Sequence, residues 1–466
     1  MRPRDSELRL LFGVNTMKLS RSVVVLACLL AVLSPVTAAE VAPICGAEAN
    51  PTGDPIGGGD GYRRIVERGD YRVTTAAEFL AVLKQARAGQ TICVTHDAKI
   101  DLTGQLGLQL PAGVTLAGDR GRHGAAGPLI FCDKLPEQRG LLSAGPDARI
   151  TGLRIRGPEP AIAQIGDYKR TSTMGLSANS NVEVDNCEIS HFNHSGVNIR
   201  GKNVRVHHNF IHDVHAYPIV IGHKAELPTL IAANLIHYAW HAIAGSGDPG
   251  TGYEARYNRV VAQPPPASWK MPAPGHAFDM HAYRPLEKDR KGRVAGDRIS
   301  IHHNTAELLA AVGVFIRGVP RDRAEVFQNW FSTPDPAQAI RQVKQDGNLW
   351  AYDNAYGPDK KLIPLPLECR PRIRFQQPLL PADPPPKVRG ELRLDIEVSV
   401  FGPLQLQSVV LQLDEKQIWS GHEGPRSGAI TINTRELTNG EHKLTVTATD
   451  NRNVGSQHSA HIAVEN

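Results

Sequence analysis

The chain is poor in rings, in sulfur and in long apolar runs. Only 6% of its 466 residues are aromatic, with 6 Cys, 5 Met and 5 Trp, so its interior must be built from aliphatic side chains. No Cys-x-x-Cys pair occurs, which excludes the usual zinc and dithiol redox patterns. Apart from Val23 to Leu33, no stretch is long and apolar enough to span a bilayer. Hydrophobic residues at 41% against charged residues at 21% exclude a disordered or collagen-like chain.

The single apolar run reads as a leader. Lys18 and Arg21 precede it, and Val36-Thr37-Ala38-Ala39 supplies the small residues of a cleavage site. Residues 1–39 are therefore expected to be a signal peptide starting at Met17, since Asp5 and Glu7 do not suit a leader. The apolar run continues past Cys28, which argues against a lipid anchor there. The expected destination is the periplasm or the medium. The leader carries five basic and two acidic residues, so the net charge of +5 falls to +2 without it, and nothing suggests a nucleic-acid partner. Five cysteines remain, Cys45, Cys93, Cys132, Cys187 and Cys369; in an oxidising compartment one or two disulfides with a leftover thiol are expected.

Turn residues and repetition are abundant, with 43 Gly and 34 Pro. Short alternating segments recur around Asn186, Asn209, Asn234, Asn258, Asn304, Asn329 and Asn354, at spacings of 23, 25, 24, 46, 25 and 25 residues. The doubled gap marks one coil with a large insertion. A unit of about two dozen residues with a local period of two and Asn at a fixed turn predicts a solenoid of parallel β-coils. A leucine-rich repeat frame is absent, and helical repeats fail on the period.

A second strand follows each Asn turn. Val197 and Ile199, Ile219 and Ile221, Ile243 and Gly245, Phe278 and Met280, and Val314 and Ile316 share one parity and are expected to point inward. The other parity then faces solvent, including Asn198 and Arg200, Ala244 and Ser246, Asp279 and His281, Phe315 and Arg317. Upstream, Thr75 and Glu78 form a capping box for a short helix with Phe79, Val82, Leu83 and Ala86 on its apolar face. Such a helix would plug the open end of a solenoid.

The run Val73-Thr-Thr-Ala-Ala-Glu-Phe-Leu, the element Pro111-Ala-Gly-Val-Thr-Leu-Ala-Gly-Asp119 and the Asn-bearing coils resemble the pectate-lyase-like superfamily of right-handed parallel β-helices. The resemblance covers about residues 60 to 370. It implies an all-β right-handed parallel β-helix, here over 40–372, with an N-terminal capping helix. It does not imply one substrate, because that superfamily holds lyases, hydrolases, epimerases, esterases and phage adhesins. The chain lacks both the Asp-rich calcium set of pectate lyases and the Asp-Pro-His motif of mannuronan epimerases. A Pro-rich linker is expected at 373–387. Alternating segments at 388–466 predict a β-sandwich and resemble bacterial immunoglobulin-like modules.

Thirteen of the 19 histidines lie between His191 and His303. His207-His208 and His302-His303 flank the Asn column three coils apart, and they read as structural, as do His212 and His237. Asp279 and His281 differ, because both emerge on the outer face while Phe278 and Met280 serve the core. Arg317 occupies the column of His281 one coil on, about 4.8 Å away. An acid, an imidazole and a guanidinium are thus expected to converge. His241 and His276 share the inward parity, so they would have to sit on a turn to join them.

Insertions at 263–274 and 282–293 are expected to wall a groove. Lys270, Arg284 and Arg200 would attract an anionic chain, while Trp240 and Tyr283 would meet sugar faces, and His241 would line the floor. Proton abstraction beside a sugar carboxylate needs a base and a neutralising cation. His281 is the expected base and Arg317 the neutraliser, with Asp279 orienting His281 or binding Ca²⁺. Tyr283 or His276 would supply the acid. The expected function is a polysaccharide lyase, monomeric, acting on an acidic polysaccharide. Alternatives are a glycoside hydrolase, which needs two facing carboxylates, a uronate epimerase, or a non-catalytic binding solenoid.

Overall fold

One coil of the chain consists of three short strands, Val204–His207, Phe210–Val214 and Tyr217–Ile221, after which Thr229–Ala232 begins the next. The computed structural model describes residues 44–466 apart from 137–139, 167–168, 170, 224, 266–267, 270–274, 284–293, 343–347, 365–368, 377–383 and 426–429. Among the described residues the coils stack into three sheets of eleven, nine and eleven strands, parallel throughout except for the last strand of one sheet, Lys361–Leu362, which pairs antiparallel. The architecture is a right-handed parallel β-helix followed by a β-sandwich. No helix among the described residues is long and apolar enough to cross a membrane.

Aliphatic ladders fill the interior. Val206, Ile231 and Ala255 stack on one wall, Ile211, Ile236 and Val260 on the second, and Val197, Ile219, Ile243, Phe278 and Val314 on the third, all fully buried. Beta-branched residues dominate because a parallel strand packed on a pleated face favours their stiff, compact shape. The helix Ala76–Gln85 carries the reciprocal Thr75–Glu78 cap and buries Phe79 and Leu83 in the same core.

The asparagine ladder is present, with a shift at its start. Each amide of Asn209, Asn234, Asn258, Asn304 and Asn329 donates to the next Asn Oδ1 at 2.9–3.0 Å. That Oδ1 also accepts the backbone N–H of the preceding Asn at 2.9–3.2 Å. Asn186 is not in this column. The register pairs Glu188 with Phe210, so Cys187 is the counterpart of Asn209. Nor do the ladder residues take the left-handed backbone. The residue before each one does, at φ 53° for Asn186, 53° for His208, 55° for Tyr257 and 53° for Gln328.

The segment before the coils forms a strap that no sequence pattern announces. Residues 44–64 run back along the line of Asn turns: Gly46 N–H reaches Gln328 O, Gly57 N–H reaches Ala233 O, and Gly59 N–H reaches Asn186 Oδ1 at 2.7–3.0 Å. The Gly57-Gly58-Gly59 run is what permits this approach. A Cβ on Gly58, at φ +66°, would sit 2.3 Å from His208 O.

Two further expectations change. Arg372–Phe375, which the sequence reading split between coil and linker, is a strand paired antiparallel with Ile396–Ser399 of the terminal module. That module encloses its own core of Leu392, Ile396, Leu411, Val446 and Ile462 between antiparallel sheets. The expected disulfides do not form among Cys93, Cys132 and Cys187, which are thiols. Each stands in a different coil, and Cys132 and Cys187 are wholly buried. Burial pushes the thiols of both up to about 12.

Candidate functional site

The nine-stranded sheet carries the site, and a column of small residues shapes it. Gly175, Gly196, Pro218, Ala242, Ala277 and Gly313 occupy the second position of successive strands. This position faces inward as well as the third. A Cβ on Gly196 would meet Ile211 and Val214 at 3.2 and 3.3 Å, and Ala242 and Ala277 lie in the core. Two consecutive inward residues break the alternation, so the first and fourth positions both face outward. Tyr217, His241 and His276 therefore share the outer face with Ala244 and Asp279. This corrects the expectation that His241 and His276 point inward and could join only through a turn.

Asp279 is completely buried on that outer face, beneath four polar side chains. Arg317 grips it with two bonds, Nε to Oδ1 and Nη2 to Oδ2, each 2.8 Å. His281 Nε2 lies 2.7 Å from Oδ2. Arg317 Nη2 also donates to His276 Nδ1 at 3.1 Å and to His241 Nε2 at 3.3 Å. The two imidazoles stack 4.5 Å apart at 10°, and Tyr217 continues the stack over His241 at 5.7 Å. Phe315 closes the far side, its ring 4.8 Å from His276 and 5.2 Å from the Arg317 guanidinium.

Electrostatics follow from this packing. Burial alone would raise the Asp279 carboxyl, yet His281 and Arg317 hold it below the usual carboxylate range. Burial pushes His276 down to about 4, with Arg317 adding to the effect and Asp279 opposing it. Burial holds His241 well below its ordinary value too. Both imidazoles are thus neutral, consistent with each presenting a lone pair to an Arg317 N–H.

The cluster has one buried end and one open end. His241 is 2% exposed, whereas the side chains of His281 and Arg317 are 34% and 29% exposed. Arg317 Nη1 has no hydrogen-bond partner among the described residues. Towards the N-terminal coils the floor is small or apolar, with Ser246 and Gly222 below His281 and with Ala244 and Val220 below Asp279.

Other anticipated residues stand farther out. Arg200 is exposed three coils from His281 in the same column, roughly 14 Å away at the usual strand spacing. Trp240 packs on Tyr217 and His241 at 5.1 and 4.6 Å and joins an apolar wall with Ile162, Ala239 and Trp269. Tyr283 is half-buried, its N–H bonded to Val294 O at 2.7 Å. Lys270 and Arg284 lie outside the described residues.

Tyr217 and Arg341 were missed by the sequence reading. Arg341 is exposed, one coil beyond Phe315, and lies over that ring at 5.2 Å. The Gly/Ala/Pro column was the available signal for Tyr217. Arg341 follows the last strand recognised in that column, Val314 and Ile316, where a short helix, Pro336–Ala339, obscures the pattern.

The donors around Asp279 do not fit Ca²⁺. That ion takes six to eight oxygen ligands, whereas this cluster pairs a single carboxylate with imidazoles, and both carboxylate oxygens already face Arg317 or His281. A second group, Glu183, Asp185 and His207, also brings potential ligands together. Its atoms are committed to the strap and coils: Arg64 holds Glu183 at 2.7 and 3.1 Å, while Arg149 and Tyr62 hold Asp185 at 2.6–2.8 Å. A separate hollow of about 340 Å³, lined by Arg72, Cys93, His96, Asp119 and Arg122, belongs to the N-terminal coils and includes no residue of the Asp279 cluster.

These features define a parallel β-helix with a buried carboxylate clamped by arginine and histidine on one sheet. No protein-family model matches the chain, and no curated protein matches it. Among solved structures, the fibronectin(III)-like modules of Clostridium thermocellum CbhA align with 20% of this chain and 97% of that chain, at 18% identity and a TM-score of 0.16. A likeness that slight carries no argument about fold or function.

Proposed function

We propose that the protein is an exported enzyme that cleaves an acidic, uronate-containing polysaccharide by β-elimination on the outer face of the nine-stranded sheet. The observation that carries this reading is the Asp279–His281–Arg317 group, in which one imidazole edge and one guanidinium nitrogen remain open beside a floor of small residues. Asp279 Oδ2, 2.7 Å from His281 Nε2, favours a proton on that nitrogen, which leaves Nδ1 to take the proton beside the sugar carboxylate. Arg317 Nη1 binds that carboxylate and stabilises the charge developing on it, while Nε and Nη2 stay fixed on Asp279. The electron pair left on carbon then expels the glycosidic oxygen and forms the carbon–carbon double bond. Tyr283, two residues beyond His281, protonates that oxygen. His276 is better suited to hold Arg317 than to act as the acid, because its Nδ1 accepts from the guanidinium.

Hydrolysis has less support. Asp248 pairs with His223, and Glu254 lies on another sheet with Arg256 and His302. Arg200 and Arg341 fit a role along the path of an anionic chain. The terminal module, which resembles immunoglobulin-like domains, serves as a spacer, and the working compartment is the periplasm or the medium.

The test incubates the protein with pectate, alginate and glycosaminoglycans and follows the ultraviolet absorbance of unsaturated uronate. A rise that disappears in His281→Ala, with the fold retained, is the expected result. New reducing ends without absorbance would replace elimination by hydrolysis. Neither signal on any of these polymers would refute the reading.

A further inference from the structure

Three acceptors converge on one nitrogen. Arg317 Nη2 lies 2.8 Å from Asp279 Oδ2, 3.1 Å from His276 Nδ1 and 3.3 Å from His241 Nε2. The ligand atoms of these three residues all lie within 4.8 Å of one another. Two imidazoles and a carboxylate are a common donor set for divalent transition metals. Both imidazoles offer a lone pair to the same guanidinium nitrogen, so both are in the neutral form that a metal requires. His241 is 2% exposed, and its other nitrogen, Nδ1, is buried with no hydrogen-bond partner among the described residues. No bond within the cluster uses that atom.

We propose that His241, His276 and Asp279 form a cradle for a borderline cation of the Zn²⁺ or Co²⁺ class, and that the Arg317 guanidinium stands in the cation's place. The positive charge of the site is thereby built into the chain. Metal–nitrogen bonds of about 2.0–2.1 Å would require the donors to close in by about 1 Å relative to their present distances from Nη2. Side-chain torsions of residues on neighbouring strands can supply that closure without moving the sheet. The Glu183–Asp185–His207 group provides the contrast. There the acceptors are shared among Arg64, Arg149, Arg205 and Tyr62, so removing one arginine opens no common centre.

This inference does not rest on the polysaccharide reading, because it is tested without substrate. The full chain is titrated with Co²⁺ and followed by visible absorption, and Zn²⁺ binding is measured by calorimetry. The wild type is expected to show no tetrahedral Co²⁺ band. Arg317→Ala is expected to bind one Co²⁺ per chain and to gain thermal stability with Zn²⁺. Both effects should vanish in Arg317→Ala/His276→Ala, and Arg205→Ala should gain neither.

Two results would overturn the proposal. One is a wild-type Co²⁺ band that His276→Ala abolishes, since Arg317 would then not hold the place. The other is a folded Arg317→Ala chain that binds no metal. Arg317→Ala leaves the Asp279 charge buried without its partner and can fail to fold for that reason. Arg317→Ala/Asp279→Asn removes that charge and keeps both imidazoles. It is expected to bind Ni²⁺ more tightly than the wild type, and equal binding would count against the cradle.

Discussion

Asn258→Ala is expected to cost about 3 kcal/mol of stability, through the neighbours it leaves behind. The Asn258 side chain is fully buried. Its Oδ1 accepts the Asn234 N–H at 3.0 Å and Nδ2 at 2.9 Å, and its Nδ2 donates to Ile231 O, Arg256 O and Asn304 Oδ1 at 2.9–3.1 Å. Several of these partners keep a second bond. Arg256 O still receives Ala233 N–H, Asn304 Oδ1 still receives Asn258 N–H, and Asn234 Nδ2 still reaches Val206 O. The Asn234 N–H is left without an acceptor in a dry turn. A stranded buried donor costs roughly 1–3 kcal/mol, and each further net bond lost adds about 1 kcal/mol.

Asn203→Gly is the control, because Asn203 stands at φ 55°, where Ala would be strained and Gly is not. The Asn203 Nδ2 bonds Asn181 Oδ1 from coil to coil at 3.0 Å, but in an exposed turn, so the expected loss is below about 0.5 kcal/mol. Urea unfolding of the full chain, followed by tryptophan fluorescence and circular dichroism, compares the two variants. Equal midpoints for Asn258→Ala and Asn203→Gly would refute the claim that the buried ladder is a cooperative support.

Acid should weaken the strap. Burial, reinforced by His207, pushes His208 down to about 4 from an ordinary value of 6.5. Its folded-state value is depressed, so its contribution is present above pH 6.5 and is lost as pH falls towards 4. Between pH 7 and pH 5 the loss is about 2 kcal/mol. His208→Asn, which places at this left-handed position the residue that Asn186 already supplies one coil earlier, should flatten that slope in thermal melts; parallel wild-type and variant slopes would contradict the assignment. Alkylation with mass-spectrometric readout should label Cys93 in the native protein well before the wholly buried Cys132 and Cys187. Equal native rates for all three would show that the coils open locally.

The sequence by itself determined the coil. A two-dozen-residue period, apolar alternation and recurring Asn leave few ways to bury the aliphatic side chains, and stacking parallel strands satisfies every coil with the same local geometry. Asp279, His281 and Arg317 were legible for the same reason, because each stands at a parity the core does not use. The tertiary structure decided where that parity fails. Two adjacent inward residues in six successive strands of the nine-stranded sheet, made tolerable by Gly, Ala or Pro, turned His241 and His276 outward onto Arg317.

Similar reasoning applies to the turns. Alignment by residue type put Asn186 in the ladder, whereas strand register put Cys187 there, because hydrogen bonds between coils count positions and not identities. The strap's course along the turns was equally invisible, since residues 46 and 328 meet only after the six coils from Asn186 to Gln328 have stacked. Local pattern sets which face each residue takes. Which faces meet is set by contacts remote in sequence, and the buried carboxylate and its clamp exist only once those contacts have formed.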